Sequence, residues 1–313
     1  MVSLLLAAGL LAGACSRVEA VGQNEIHFRV TDDWQPASKV VAPLATDSFG
    51  VTAYSGGTTS AYFERAQVSY VTSAWEFSDG KHYWPASGTL DFHAWMPVAP
   101  PSYIGTPTYT YANGPGFSCS SLPLTSAGQA ALQEYVYAYT TDKSKAGSSA
   151  SGVPLKFLRP FASVQIIFVT DHEGITLNTI TLLNVKNNGV YTHAGGWGSH
   201  SGDGNLVLTY NCTMDSGDVP YVLGDYLVVP QAFTPQNIQV TYTPDGEAPI
   251  TLTGSIPSLT WATGRRYVYT FLLKTNFRLT VTDLEESVPN VSSDVYVLDL
   301  LDGGVMDYSH LAL

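Results

Sequence analysis

The sequence predicts an all-β protein made of two β-sandwich domains. Period-two alternation of apolar and polar residues recurs along most of its 313 residues, as half-buried strands require. Gly (28), Pro (18) and Tyr (19) are plentiful, which favours strands and turns over helices. A polar, small-residue stretch at Thr141–Val153, TDKSKAGSSASGV, interrupts the alternation and divides the chain.

The elements follow in order. Glu25–Thr31 places Ile26, Phe28 and Val30 on one face. Ser48–Tyr54 does the same with Phe49, Val51 and Ala53, and Gln67–Thr72 with Val68 and Tyr70. Thr89–Met96 sets Leu90, Phe92, Ala94 and Met96 against Asp91, His93 and Trp95. Glu134–Thr140 alternates three tyrosines with Val136 and Ala138, and Ser126–Tyr135 is the one weakly helical stretch. Beyond the break, strands are expected at Ala162–Val169, Ile175–Val185, Asn205–Cys212, Asp225–Val229, Ile238–Thr243 and Arg266–Leu273. Short strands between turn signals build sandwiches. The expected domains are therefore 15–145 and 154–275, joined by a linker at 146–153 and followed by a tail at 276–313. In the tail, Asp294–Leu301 alternates Tyr296, Leu298 and Leu300 with Val295 and Val297. An apolar strand beyond a finished sandwich must cover an edge of its own domain or enter another molecule.

Charge narrows the function. The 26 acidic residues against 14 basic ones give a net charge of -12, with no basic run. That balance argues against nucleic acid and against an anionic membrane surface as partners. Residues 1–14, MVSLLLAAGLLAGA, carry no charge and read as a secretory signal. They fall short of the about 20 residues of a membrane span. Cys15 follows Leu11-Ala12-Gly13-Ala14 directly, which resembles a lipobox with Ala12 where Leu is usual. Cys15 is thus the expected lipidation site. Cys119 and Cys212 are too few for a disulfide framework, and whether they pair stays open.

No constellation for catalysis emerges. His193, His200 and Asp203 gather in THAGGWGSHSGDG, but their spacing matches no metal motif, and the stretch reads as a solvated glycine-rich loop. Asp91 and His93 share a strand face and read as an exposed polar surface. No GxSxG, GxGxxG, HExxH or phosphate-loop pattern occurs. The expectation is a non-enzymatic protein with no catalytic residue, metal or cofactor. Trp75, Tyr83, Trp84, Trp95, Tyr109 and Tyr111 would suit sugar stacking if exposed. A lipid-anchored glycan-binding protein is accordingly the rival reading, and a secreted hydrolase the third.

Several motifs in order resemble the fimbrillin family, the pilins of type V pili. They are Asp47-Ser48-Phe49-Gly50-Val51-Thr52-Ala53-Tyr54, Ala61-Tyr62-Phe63-Glu64, Val68-Ser69-Tyr70, Tyr83-Trp84-Pro85 and Leu90–Pro97. Leu155–Val164, Leu227-Val228-Val229-Pro230-Gln231 and Trp261–Tyr269 continue the series. The resemblance implies two transthyretin-like β-sandwich domains with Greek-key topology and export as a lipoprotein to the outer membrane. It also implies polymerisation with other pilin subunits into a surface fimbria, as stalk, tip or anchor. A host or bacterial surface receptor or glycan is the further partner it allows. In that family a trypsin-like protease removes the N-terminal strand, and a strand of another subunit fills the groove. The family's Arg between that strand and the next is replaced here by Lys39, with Arg29 upstream. Arg29 and Lys39 are therefore the candidate cleavage positions, and a cut at Arg29 would divide the strand. Tyr296, Leu298 and Leu300 are the candidate donor side chains.

Overall fold

The structure, a computed structural model, describes residues 24–31, 48–148, 151–171, 173–215, 220–256, 258–273, 279–286 and 296–300. The first part contains β1 (Phe28–Val30), β2 (Ser48–Ser55), β3 (Ala61–Val71), β4 (Ala74–Phe77) and β5 (Leu90–Met96). A hairpin of β6 (Thr108–Thr110) and β7 (Gly114–Cys119) precedes the short helix α1 (Ser126–Ala130) and β8 (Val136–Lys143). Next come α2 (Lys145–Ser148), β9 (Val153–Leu155), β10 (Phe157–Leu158), β11 (Ala162–Thr170), β12 (Ile175–Thr192) and β13 (Gly196–Met214). The remainder is β14 (Tyr221–Val228), β15 (Ala232–Phe233), β16 (Gln236–Thr243), β17 (Ile250–Ile256), β18 (Leu259–Thr260), β19 (Arg266–Leu273), β20 (Leu279–Glu286) and β21 (Tyr296–Leu300). The class is all-β, as the alternation requires.

The first sheet runs β10-β8-β5-β2-β3-β4-β1-β9. Its end strands, β9 and β10, are separated in sequence only by Lys156. The sheet therefore closes around one core, built from Phe49, Val51, Leu90, Phe92, Met96, Leu155 and Phe157 among others. The second unit packs the sheet β14-β11-β19-β20-β21 against β17-β16-β12-β7-β6, with β13 also paired to β12. Val164, Ile166, Phe168, Ile180, Leu208, Val240, Trp261 and Phe271 belong to the core between them.

Sheet membership does not follow the expected split at residue 154. Val153, Leu155 and Phe157 complete the first core, so β9 and β10 lie in the first sheet. The β6–β7 hairpin, inside the expected first domain, extends the second unit through Tyr191↔Phe117 and Gly189↔Cys119. The side-chain amide of Gln129 on α1 donates to the Leu227 carbonyl at 2.9 Å and accepts from its N–H at 2.8 Å, tying α1 to β14.

A third core lies at this junction, formed by Trp95, Tyr103, Phe117, Tyr135, Tyr137, Phe161, Tyr191 and their neighbours. Phe117 is at its centre, with Tyr135, Tyr191 and Trp197 rings at 5.0, 5.3 and 5.6 Å. Arg159 and Glu134 face each other here at 3.1 Å. Burial pushes the Glu134 carboxyl up to about 7, against the opposing charge of Arg159.

Two expectations change at the junction. Asp91 and His93 are not an exposed polar face: they are 0% and 2% exposed. The second unit covers the face of β5 on which they lie. Asp91 is satisfied by the N–H groups of Asp142 at 2.8 Å and Gly57 at 3.2 Å and by the Tyr109 hydroxyl at 3.1 Å. Nor is 192–204 a solvated loop. Residues from Gly196 onward pair with β12 as Thr192↔Gly196, Tyr191↔Trp197 and Lys186↔Asp203. Of the aromatics considered for sugar stacking, Trp84 and Trp95 are buried while Tyr83 and Tyr111 are exposed.

Phe117→Ala should destabilise the whole described fold by about 3–5 kcal/mol, the usual cost of deleting a buried aromatic ring. Urea unfolding followed by tryptophan fluorescence measures it. A second prediction concerns acid. Burial holds the His93 imidazole down at about 3, against a usual 6.5, and His193 adds to the effect. A lowered folded pKa means stability that is full above the unfolded value and lost as pH falls towards the folded one. Relative to His93→Phe, the wild type should lose about 2–3 kcal/mol between pH 7 and pH 4. Paired thermal melts across that window read the difference.

Candidate functional site

The segment around β1 is a strand of this chain set between β4 and β9 in the first sheet. Ile26 and Phe28 are buried and Val30 packs against the same core. The Phe28 ring meets Phe49, Phe77 and Phe92 edge-on at 5.5, 5.5 and 5.4 Å. Full burial of each such side chain contributes roughly 1.5–3 kcal/mol.

Its backbone is engaged on both sides. Towards β9 it pairs in parallel as Phe28↔Val153, Arg29↔Pro154 and Val30↔Leu155. The Val153 N–H donates to the His27 carbonyl at 2.7 Å and the Thr31 N–H to Leu155 at 3.0 Å. Gly152 makes this approach feasible: its φ is +74°, and a Cβ there would meet the His27 carbonyl oxygen at 3.1 Å. On the other side, Ile26 N–H donates to the His82 carbonyl and Trp84 N–H to Asn24, both at 2.8 Å. With β4 itself there is one pair, Phe28↔Trp75. The ladder opens here into a cavity of about 390 Å³ lined by His27, Trp75, Phe77 and His82. The Lys81 ammonium sits 2.5 Å from Glu25, and that hydrogen bond and charge raise its pKa. Lys145 also donates to the Asn24 side chain.

Without residues 25–31 the first sheet would lose the strand between β4 and β9. Phe49, Phe92 and the backbone of Val153–Leu155 would lose their cover, and buried backbone groups need partners. The site is therefore a groove with an internal occupant.

The sequence-predicted residues fall as follows. Arg29 lies in the middle of β1, its side chain exposed and its backbone opposite Pro154. Cys15 and Lys39 lie outside the described residues. Tyr296, Leu298 and Leu300 lie on β21, at the end of the second unit's sheet, opposite Asp283, Val281 and Leu279 of β20. In this structure β21 thus covers an edge of its own chain. The sequence reading missed Val153–Leu155 as the other wall of the groove, although its apolar alternation was visible. His193, His200 and Asp203 do not converge. His193 Nδ1 lies 2.9 Å from the Tyr137 hydroxyl, His200 Nε2 donates to the Pro230 carbonyl at 2.7 Å, and Asp203 pairs with Lys186. Cys119 and Cys212 are free thiols. Burial pushes the Cys119 thiol up to about 12, which makes it a poor nucleophile.

These features describe a sandwich protein whose first sheet holds β1 between β4 and β9. A fimbrillin-like family profile matches residues 41–289, well over half of the chain, and the chain belongs to that family. No curated protein sequence matches it. Among solved structures it is similar to a fimbrial protein from Bacteroides vulgatus, with a TM-score of 0.63 and 17% identity over 84% of this chain and 99% of that one. It is also similar to two proteins provisionally assigned to cell adhesion. The one from Bacteroides uniformis has a TM-score of 0.52 and 16% identity, over 84% of this chain and 97% of that one. The one from Bacteroides ovatus has a TM-score of 0.50 and 14% identity, over 84% and 95%. At these identities the likeness establishes the fold.

Gly152→Val should loosen β1 by about 1–3 kcal/mol, since it forces a β-branched residue into a left-handed backbone against the His27 carbonyl. Hydrogen exchange should then accelerate at residues 25–31 while β12 and β16 keep their protection. Unchanged protection at 25–31 would show that Gly152 does not gate the strand.

Proposed function

We propose that this chain is a structural subunit of a cell-surface fimbria, exported as a lipoprotein acylated at Cys15 and assembled by strand exchange. The observation that carries this reading is the occupancy of the first sheet by Glu25–Thr31. A strand held through its backbone on both edges and anchored by Ile26 and Phe28 is the kind of element that another strand can replace. Cleavage at Arg29 or Lys39 would free the groove, and the tail strand with Tyr296, Leu298 and Leu300 would fill the groove of another subunit. Alternation is what such a strand needs, because one apolar face enters the core and backbone groups satisfy both neighbours. The partners are other pilin subunits, and the anchored precursor resides at the outer membrane. The role is binding and assembly, without catalysis.

Limited trypsin digestion followed by size-exclusion chromatography tests the assembly step. Nicked wild type should form oligomers, and Leu298→Asp should weaken them by placing a charge in an apolar groove, while leaving the melting of the intact monomer nearly unchanged. A nicked wild type that stays monomeric at high concentration removes the strand-exchange reading, and so does unfolding of the monomer by Leu298→Asp. Lipidation is read separately. Cys15→Ser should move the protein out of the membrane fraction, since acyl chains hold a protein by about 0.8 kcal/mol per buried CH₂.

A further inference from the structure

The cavity beside β1 originates in a break of register. Phe28↔Trp75 is the single pair between β1 and β4. Antiparallel continuation of that register would set Ile26 opposite Phe77. Instead the Ile26 N–H donates to the His82 carbonyl at 2.8 Å, and Glu25 bridges to Tyr83. A turn at Asp79-Gly80, with Gly80 at a φ of 114°, takes the chain out of the ladder between Phe77 and His82. Among the described residues, Glu76 and Phe77 therefore have no ladder partner on the β1 side, and the cavity of about 390 Å³ opens there. A cavity of about 150 Å³ already takes a benzene ring, so this one has room for a large apolar side chain.

Its walls are fixed. The His82 ring packs on Phe77 and Phe63 at 4.2 and 4.4 Å, and its Nε2 lies 3.1 Å from the Asp79 carboxylate. Trp75 lies against Phe49 at 5.0 Å and Tyr70 at 5.1 Å. The opposite wall is β1 itself, through Ile26 and His27. The His27 Nε2 is buried, 3.8 Å from Glu25, and has no hydrogen-bond partner among the described residues. β1 is thus held unevenly, with three ladder pairs to β9 and one to β4.

That asymmetry bears on how β1 is replaced. A cut at Arg29 or Lys39 breaks the chain but leaves Ile26 and Phe28 in the core. Departure of the whole segment would expose those side chains and the backbone of both neighbours at once. A strand that first occupies the open edge at Glu76 and Phe77 avoids this, because each bond that β1 gives up is remade. The tail strand suits such an entry. Its Tyr296, Leu298 and Leu300 repeat the spacing of Ile26, Phe28 and Val30, and an acid, Asp294, precedes Tyr296 as Glu25 precedes Ile26. Glu25 is the partner of Lys81 at the cavity rim, so an acid at this end of a strand has a cation to meet.

We propose that this cavity is the entry point for strand exchange: Tyr296 of a second copy of this chain inserts there, and its strand then displaces β1 from the β4 side. The inference rests on the strand-exchange reading and adds the order of events. The probe is a fluorescent peptide of residues 294–301, mixed with the trypsin-nicked full chain and followed by anisotropy in time. The exchange rate should rise in proportion to peptide concentration, because binding precedes the departure of β1. A peptide carrying Tyr296→Ala should enter at least tenfold more slowly. Glu76 is exposed at the cavity mouth. Glu76→Trp in the chain should slow entry at least tenfold with the final extent of binding unchanged, while Glu76→Gln should exchange at the wild-type rate. The inference is overturned if the rate is independent of peptide concentration, as when β1 must leave first, or if Glu76→Trp exchanges as fast as the wild type. A second arm separates it from the reading beneath it: the nicked chain is unfolded in urea, freed of its N-terminal fragment and refolded with the peptide. Binding in that arm together with a concentration-independent rate in the native one removes the entry point alone. No binding in the refolded chain removes strand exchange and the entry point together.

Discussion

The architecture depends on burying both faces of the β5–β8 part of the first sheet. One face, with Leu90, Phe92, Ala94, Val136 and Ala138, makes the first core. The other carries Trp95, Tyr135 and Tyr137 into the junction core, against Phe117 and Tyr191. Tyrosine suits this surface because its ring packs while its hydroxyl finds a partner. The Tyr137 hydroxyl, for instance, lies 2.8 Å from that of Tyr191. If the β6–β7 hairpin and β12 did not cover this face, Asp91 and His93 would be on the surface and two independent sandwiches would remain. With the cover in place, the units interlock and neither is complete alone.

The groove and the cavity at the border of the junction both follow from that interlocking. Val153–Leu155 stands at the opposite end of the first sheet from β10, although Lys156 alone separates the two strands in sequence. It thereby gives β1 its parallel neighbour. The chain approaching β6 roofs the second face of β2 and β5, and where that roof ends, His93 and Trp95 are left lining a cavity. One site is thus built from backbone pairing and the other from side-chain chemistry. The first offers main-chain bonds, which are indifferent to sequence. The second is lined by side chains held in place by Gly50, Thr52 and the bulge at Arg65.

Much of this was legible in the sequence where local pattern and fold agree. The alternation in Glu25–Thr31 named Ile26 and Phe28 as inward residues, and both are in the core. The pattern of Thr89–Met96 separated its two faces correctly by residue. It could not tell that the polar face is buried, because the cover comes from β6, β7 and β12, which lie further along the chain. The glycines of Gly196–Gly204 read locally as a loop; pairing with β12 makes them a strand. Residues 146–153 read as a linker by composition, yet they end in a strand whose Val153 belongs to the first core.

By itself the sequence determined the all-β class, the inward residues of most strands, the family, and the net charge of -12. These rest on period, composition and motif order, which are properties of neighbouring residues. Only the tertiary structure decided that the first sheet closes through Val153–Leu158 and that β1 lies between β4 and β9. It alone placed β21 on an edge of its own chain and set His93 in the lining of a cavity. The physical reason is common to all four. A strand specifies which of its faces is apolar, but its backbone bonds and the cover on its second face come from distant segments, whose identity no local pattern carries.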